Sequence, residues 1–286
     1  MNKPKKQNLN AVIVSLSISI FSNSRQDRPI TEDVKARKKL GAGSGKWIKY
    51  KLPDQSLSPL RKYCGEVRAL HYAYTSPWEE GQRLLSGKAS QKYQAHMAGF
   101  KTKFNALVDE FVSAYPGWIK EAKKMHGATF EPSDYPSAAL VKGQFHFGVE
   151  IFPLPKPEHF NVEMKELYGA ALVAITEKKI GEAVTDTWTR LMQPVFAMSE
   201  KLSSPDAIFR DTLVENVKEM IALVPSLNLT DDPKLKEAAT LIEKQLGSLD
   251  PNDLRENKVS RKSVAEKAAS IVARFGGIGR RKLANN

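Results

Sequence analysis

The stretch Lys35–Leu52, "KARKKLGAGSGKWIKYKL", decides how the first part of the chain folds. A phosphate-binding loop reads G-x-x-x-x-G-K-[ST] between a buried strand and a helix, so that its amides wrap phosphates and its hydroxyl holds magnesium. Gly45 and Lys46 fit the end of that pattern, but the first glycine position falls on Leu40 and the hydroxyl position on Trp47. "KARKKL" is too charged for a central strand, and "WIKYKL" is strand-like with no helix start. The stretch is therefore read as a basic hairpin whose tip is freed by Gly41, Gly43 and Gly45. In an extended "WIKYKL", Trp47, Lys49 and Lys51 share one face while Lys46, Ile48 and Tyr50 share the other. Aromatic rings between ammonium groups suit stacked bases and their flanking phosphates. Core aromatics with solvated edge lysines would look the same in sequence.

The charge distribution extends this reading. The chain has 286 residues, 41% hydrophobic and 27% charged, which is globular composition. Of the net charge of +12, residues 1–51 carry +9 and residues 255–286 carry +7, leaving −4 between them. Two basic ends on a mildly acidic body point to a polyanion, of which nucleic acid is the commonest. The second basic set comprises Arg261, Lys262, Arg274, Arg280, Arg281 and Lys282, in a basic helix followed by a Gly-rich flexible tail. Such a segment binds phosphates without reading sequence. It equally suits a solubilising tail or an acidic protein partner.

Catalytic and metal chemistry find little footing. Cys64 is the one cysteine, which excludes an internal disulfide or a thiolate zinc cluster, and its helical surroundings make it a buried thiol. His71, His96, His126, His146 and His159 show no metal-ligand spacing. His146 and Glu150 share a strand face, where a solvated surface explains them as well as an acid–base pair does. No G-x-S-x-G or H-E-x-x-H occurs. The expectation is a protein that is not an enzyme and uses no cofactor or metal.

The run Ala11–Phe21 follows Lys3, Lys5 and Lys6 and so resembles a secretory signal, but Val12, Val14, Leu16, Ile18 and Ile20 alternate with polar residues as in a strand. No other stretch approaches the ~20 apolar residues of a membrane span. A cytoplasmic protein with no membrane partner is expected.

Further along, Thr31 is placed as the cap of a short helix, and a helix covers about residues 57–74. Met97, Phe100, Phe104, Leu107 and Phe111 recur at helical spacing on one stripe, with Pro116–Gly117 interrupting the helix and Gly127 ending it. "QFHFGVEIFPLP" alternates as a strand with Phe145, Phe147, Val149 and Ile151 on one face. From about Asn161 the pattern is helical throughout. Leu167, Ala171, Ile175, Val184, Trp188, Leu191 and Val195 trace one stripe, kinked at Pro194. Phe209, Leu213, Val217, Met220 and Val224 trace a second, so that two long helices form an antiparallel hairpin. Asp232 and Pro233 start a shorter helix.

The strings "VSLSISIFSNSRQDRPITEDV", "LRKYCGEVRALHYAYTSPW", "EFVSAYPGWIKEAKKMHGATFEPSDYPS" and "FHFGVEIFPLP" resemble an uncharacterised conserved-domain family of phages, plasmids and proteobacteria. The resemblance covers roughly residues 11–200. It implies an intracellular, phage-type protein encoded near MoxR-type AAA ATPases and von Willebrand A-type proteins, and it carries no catalytic residues with it.

These readings converge on an α+β, mostly α fold: residues 1–157 as an α+β domain with a small antiparallel sheet and the basic hairpin, residues 158–254 as a helical hairpin or bundle, and residues 255–286 as the basic helix and tail. The function expected is non-enzymatic binding of single-stranded DNA through Lys46, Trp47, Lys49, Tyr50, Lys51 and the C-terminal cations, as an accessory of phage DNA metabolism. The alternative is an adaptor whose long helices engage an AAA ATPase or a second copy of the chain.

Overall fold

The structure, a computed structural model, describes residues 9–284 except Pro205, with side chains as far as Ile278. In chain order the main elements are β1 (Ala11–Ser19), β2 (Ser24–Gln26), α1 (Arg28–Lys38), β3 (Ile48–Tyr50), α2 (Ser58–Tyr74), β4 (Ser76–Glu79), β5 (Gln82–Ser86), α3 (Gly87–His126), α4 (Ala138–Lys142), β6 (His146–Pro153), α5 (Val162–Ser203), α6 (Thr212–Leu227), α7 (Pro233–Leu246), α8 (Pro251–Glu256) and α9 (Lys258–Ala284). The strands form one antiparallel sheet ordered β4-β5-β1-β6 and a separate β2-β3 pair. Helix dominates, and the fold is α+β and mostly α, as the periodicities predict.

The compact units are interleaved in sequence rather than consecutive. Among the described residues, one comprises 9–15, 71–94 and 150–284, the other 16–70 and 95–149. The chain passes between them within β1, α2, α3 and β6, whereas consecutive segments with boundaries near residues 157 and 254 are expected from the sequence. Local composition marks loops, and it carries no record of a strand or helix shared by two cores.

The unit containing residues 150–286 has a helical core. Trp188, Leu191, Val195, Met198 and Leu202 of α5 pack with Val217, Met220 and Val224 of α6, Leu235 and Ile242 of α7, and Val264, Ile271 and Phe275 of α9. Trp188 stacks on Phe275 at 6.2 Å and donates its indole N–H to Asp232 (3.2 Å). Asp232 also caps α7 by accepting from Lys234 N, with Pro233 at the first helical position, as expected. The expected flexible tail is corrected: α9 runs on to Ala284, because Val264, Ala268, Ile271 and Phe275 repeat at helical spacing and dock its inner face. Pro194 does not end α5, and Trp188 and Val195 remain buried on either side of it.

In the same unit β1 pairs with β5, Ala11 facing Ser86, and β5 pairs with β4. Ile13, Trp78 and Leu84 of these strands pack with Leu154, Ala183 and Leu229. The C-terminal end of α2 is held by arginine: Arg190 donates to Ala73 O (2.8 Å) and, one residue past the helix, to Thr75 O (3.1 Å), and Arg83 donates to Thr75 O and its hydroxyl.

The other unit is built on aromatic packing. Phe111 of α3 meets Phe21, Tyr115 and Phe145 at centroid distances of 5.4–6.2 Å, and Phe104 meets Phe147. Leu60, Cys64 and Val67 of α2 are buried as their spacing predicts, and burial raises the Cys64 thiol above its usual pKa. The expected break at Pro116 is absent. α3 continues through it, since Phe111, Tyr115 and Ala122 stay buried on both sides of the residue and their packing offsets the ~3 kcal/mol that an internal proline costs.

The basic stretch itself differs from a two-stranded hairpin. Lys35–Lys38 belong to α1, capped by Asp27 (Oδ1 accepting from Ile30 N, 3.1 Å) rather than by Thr31. β3 pairs antiparallel with β2, Lys49 facing Arg25, so α1 and the Gly-rich loop together connect two short strands. Thr31 instead ties the start of "WIKYKL" to the helix, its hydroxyl donating to Asp27 O and accepting from Trp47 N (2.9 Å). Among the described residues no helix is long and apolar enough to cross a membrane.

Candidate nucleic-acid interface

β3 is pinned along its whole length. Asp27 N donates to Trp47 O (3.0 Å), Lys51 N to Asn23 O (2.7 Å), and the Asn23 side chain bonds both backbone groups of Leu52. Tyr135 donates its hydroxyl to Lys51 O (2.8 Å) and stacks on Phe130. Burial, followed by the nearby Asp134 carboxylate, pushes that hydroxyl up to about 12, so it remains a donor.

Alternation then sorts the side chains. Ile48 and Tyr50 face solvent, Tyr50 at 60% exposure, and Lys49 between them points inward at 5%. Lys49 Nζ lies 3.0 Å from Asp134 Oδ2 and donates to Thr129 O (2.7 Å), while Arg25 Nη1 holds Asp134 Oδ1 at 2.6 Å. The Asp134 side chain is fully buried, and both contacts are ion pairs rather than aligned hydrogen bonds. Lys49 is therefore withdrawn as a phosphate contact: its ammonium is committed to an internal carboxylate. Lys51 is half withdrawn, with Nζ 5.0 Å from the Phe21 ring centroid and its pKa lowered chiefly by burial.

The remaining residues stay available. Trp47 is 51% exposed and Lys46 is exposed. In α1 the Arg37–Asp33 pair is exposed, and Lys35, itself half-buried, pairs with the exposed Glu32, so both pairs contribute little to stability. Lys38, Lys39 and Lys46 make no ion pair among the described residues. Lys39 takes a left-handed backbone (φ 52°) as it ends α1, and the turn Gly41–Ser44 returns the chain to Lys46. A neighbouring cavity of about 510 Å³ is lined by Arg25, Asp27, Arg28, Lys49 and Glu131 among others; its mixed charge gives no strong preference for an anion.

The C-terminal set lies in the other unit, and two of its three described side chains are engaged internally. Arg261 is buried, donates to Ala207 O (2.5 Å) and covers the Phe209 ring, so it braces the α5–α6 connection instead of facing a phosphate. Arg274 pairs with Glu237 and lies over Phe275. Lys262 is exposed, and the side chains of Arg280, Arg281 and Lys282 lie outside the described residues. Sequence reasoning missed Asp134 and Arg25, which fix the strand; nothing local in "EPSDYPS" marks a carboxylate paired with a lysine 85 positions earlier. Among the described residues no group of three His, Cys, Asp or Glu is placed to hold a metal. No family model, curated protein or solved structure matches the chain.

Proposed function

We propose that the exposed edge formed by Lys46, Trp47 and Tyr50, continued by Lys38 and Lys39, binds single-stranded nucleic acid without reading its sequence. The observation that carries this is the exposure of two aromatic rings on a rigidly pinned strand, flanked by lysines that make no ion pair among the described residues. Stacking on such rings is sequence-tolerant because every base has a π-face, and the lysines take the phosphates. Lys49 supports the platform from beneath. Binding without catalysis suits an accessory protein of phage DNA metabolism; the family resemblance implies only the intracellular, phage-type setting.

The test is a salt titration of binding to fluorescent single-stranded DNA, duplex DNA and RNA, with heparin as competitor. Single strands should bind best, quench tryptophan fluorescence, and lose affinity when Trp47 is changed to Ala. Equal affinity for heparin together with indifference to Trp47→Ala would reduce the site to generic polyanion attraction and end this reading.

A further inference from the structure

The first half of α5 carries an apolar face that nothing in its own unit covers. Between Val162 and Glu182 the one buried residue is Gly169, against Pro157. On the opposite side of the helix Met164, Tyr168, Ala171 and Ile175 repeat at spacings of 4, 3 and 4, with Leu167 beside them. All are exposed, Leu167 at 65% and Ile175 at 54%. A contiguous apolar stripe of this kind marks an interaction site.

We propose that this face docks the same face of a second copy of the chain, antiparallel. The spacing 4-3-4 is palindromic. Two copies run in opposite directions therefore place Met164 over Ile175 and Tyr168 over Ala171, large against small in the central layers. Charge agrees with that direction. Glu163 lies at the start of the stripe and Lys178 at its end, on the same flank. Antiparallel pairing brings Glu163 of one copy beside Lys178 of the other, whose contact to Glu182 is a loose 4.0 Å. Parallel pairing would leave Glu163 and Lys178 of the two copies at opposite ends of the seam and would stack tyrosine on tyrosine and alanine on alanine. Asn161 and Lys178 close the stripe with polar groups, so the seam is short, about 16 Å. A contact of that size gives a weak, concentration-dependent dimer. The inference is independent of the nucleic-acid reading.

Sedimentation velocity of the full chain over a concentration series tests it. The wild type should pass from one chain to two as concentration rises. Met164→Glu alone, and Ile175→Lys alone, should each weaken association by about tenfold or more. The double variant should recover it, because each new carboxylate then faces a new ammonium across the seam. Both positions are solvent-exposed, so circular dichroism and the unfolding midpoint should stay at wild-type values. A single-chain mass at every concentration, a dimer indifferent to either single substitution, or no recovery in the double variant overturns the proposal.

Discussion

Lys49 Nζ sits 3.0 Å from Asp134 Oδ2, and both side chains are out of solvent. The pair joins β3 to the Pro132–Asp134 turn across 85 positions of sequence, with Arg25 of the partner strand on the other carboxylate oxygen. Removing one member leaves an uncompensated buried charge, so Asp134→Ala should lower stability by about 3–5 kcal/mol. Urea denaturation should show the loss as a lower midpoint at unchanged slope. Lys49→Ala should cost less than Asp134→Ala, because Arg25 still neutralises the carboxylate.

The exposed residues of the same strand should behave in the opposite way. Trp47→Ala and Tyr50→Ala should move stability by no more than about 0.5 kcal/mol. Each should cost about 1–3 kcal/mol of single-strand affinity where a base stacks. Lys46→Glu should reduce the slope of log affinity against log salt by about 1 or somewhat more, read in the same titration. A stability loss without an affinity loss would place the rings in the core.

Arg261 supplies a contrast within the cations. Its guanidinium bonds Ala207 O and covers Phe209, so Arg261→Ala should cost about 1.5–3 kcal/mol of stability. The salt dependence of nucleic-acid binding should not change, whereas a phosphate contact would lower it. Thermal unfolding and the binding titration on one preparation separate the two roles.

How far the sequence reaches is clear from these cases. Period is local, so β1, α2, α5, α6 and α7 follow from spacing, and the Asp232–Pro233 start of α7 follows from its side chains. Alternation also pairs Ile48 with Tyr50 and sets Lys49 on the other face. Which of those faces turns inward depends on Asp134, a distant residue, and no local pattern carries that information. The inward face of α9 is legible as Val264, Ala268, Ile271 and Phe275, but net charge points to its lysines and arginines instead. The first half of α5 is the converse case: Leu167 and Ile175 have core periodicity and lie in solvent, because periodicity defines a face without supplying what covers it.

His71 gives a dependence on pH with a definite sign. It is buried at the end of α2, its Nδ1 2.8 Å from the Tyr93 hydroxyl. Burial raises that hydroxyl to about 12, so Tyr93 stays protonated and donates to a neutral imidazole. Burial, then the nearby Arg83 charge, lowers the His71 pKa from 6.5 to about 4. In the unfolded chain the imidazole protonates near pH 6.5, while in the folded chain it waits until about 4. Between those values the unfolded state binds more protons, and stability falls as pH falls. Above the window both states are neutral and the contribution is constant; below it the contribution is lost. The full change is about 3 kcal/mol. Asp186 acts in the opposite sense, since burial raises its carboxyl pKa against the attraction of Arg190 and Arg83, so stability from this group falls as pH rises through the carboxylate range. His71→Gln keeps a partner for Tyr93 and removes the titration. Comparing denaturant midpoints of wild type and His71→Gln from pH 7 to pH 4 cancels Asp186 and other common groups. The difference between the two proteins should shrink by about 3 kcal/mol across that range, and parallel curves would mean that the ring is protonated, or solvated, in the folded state.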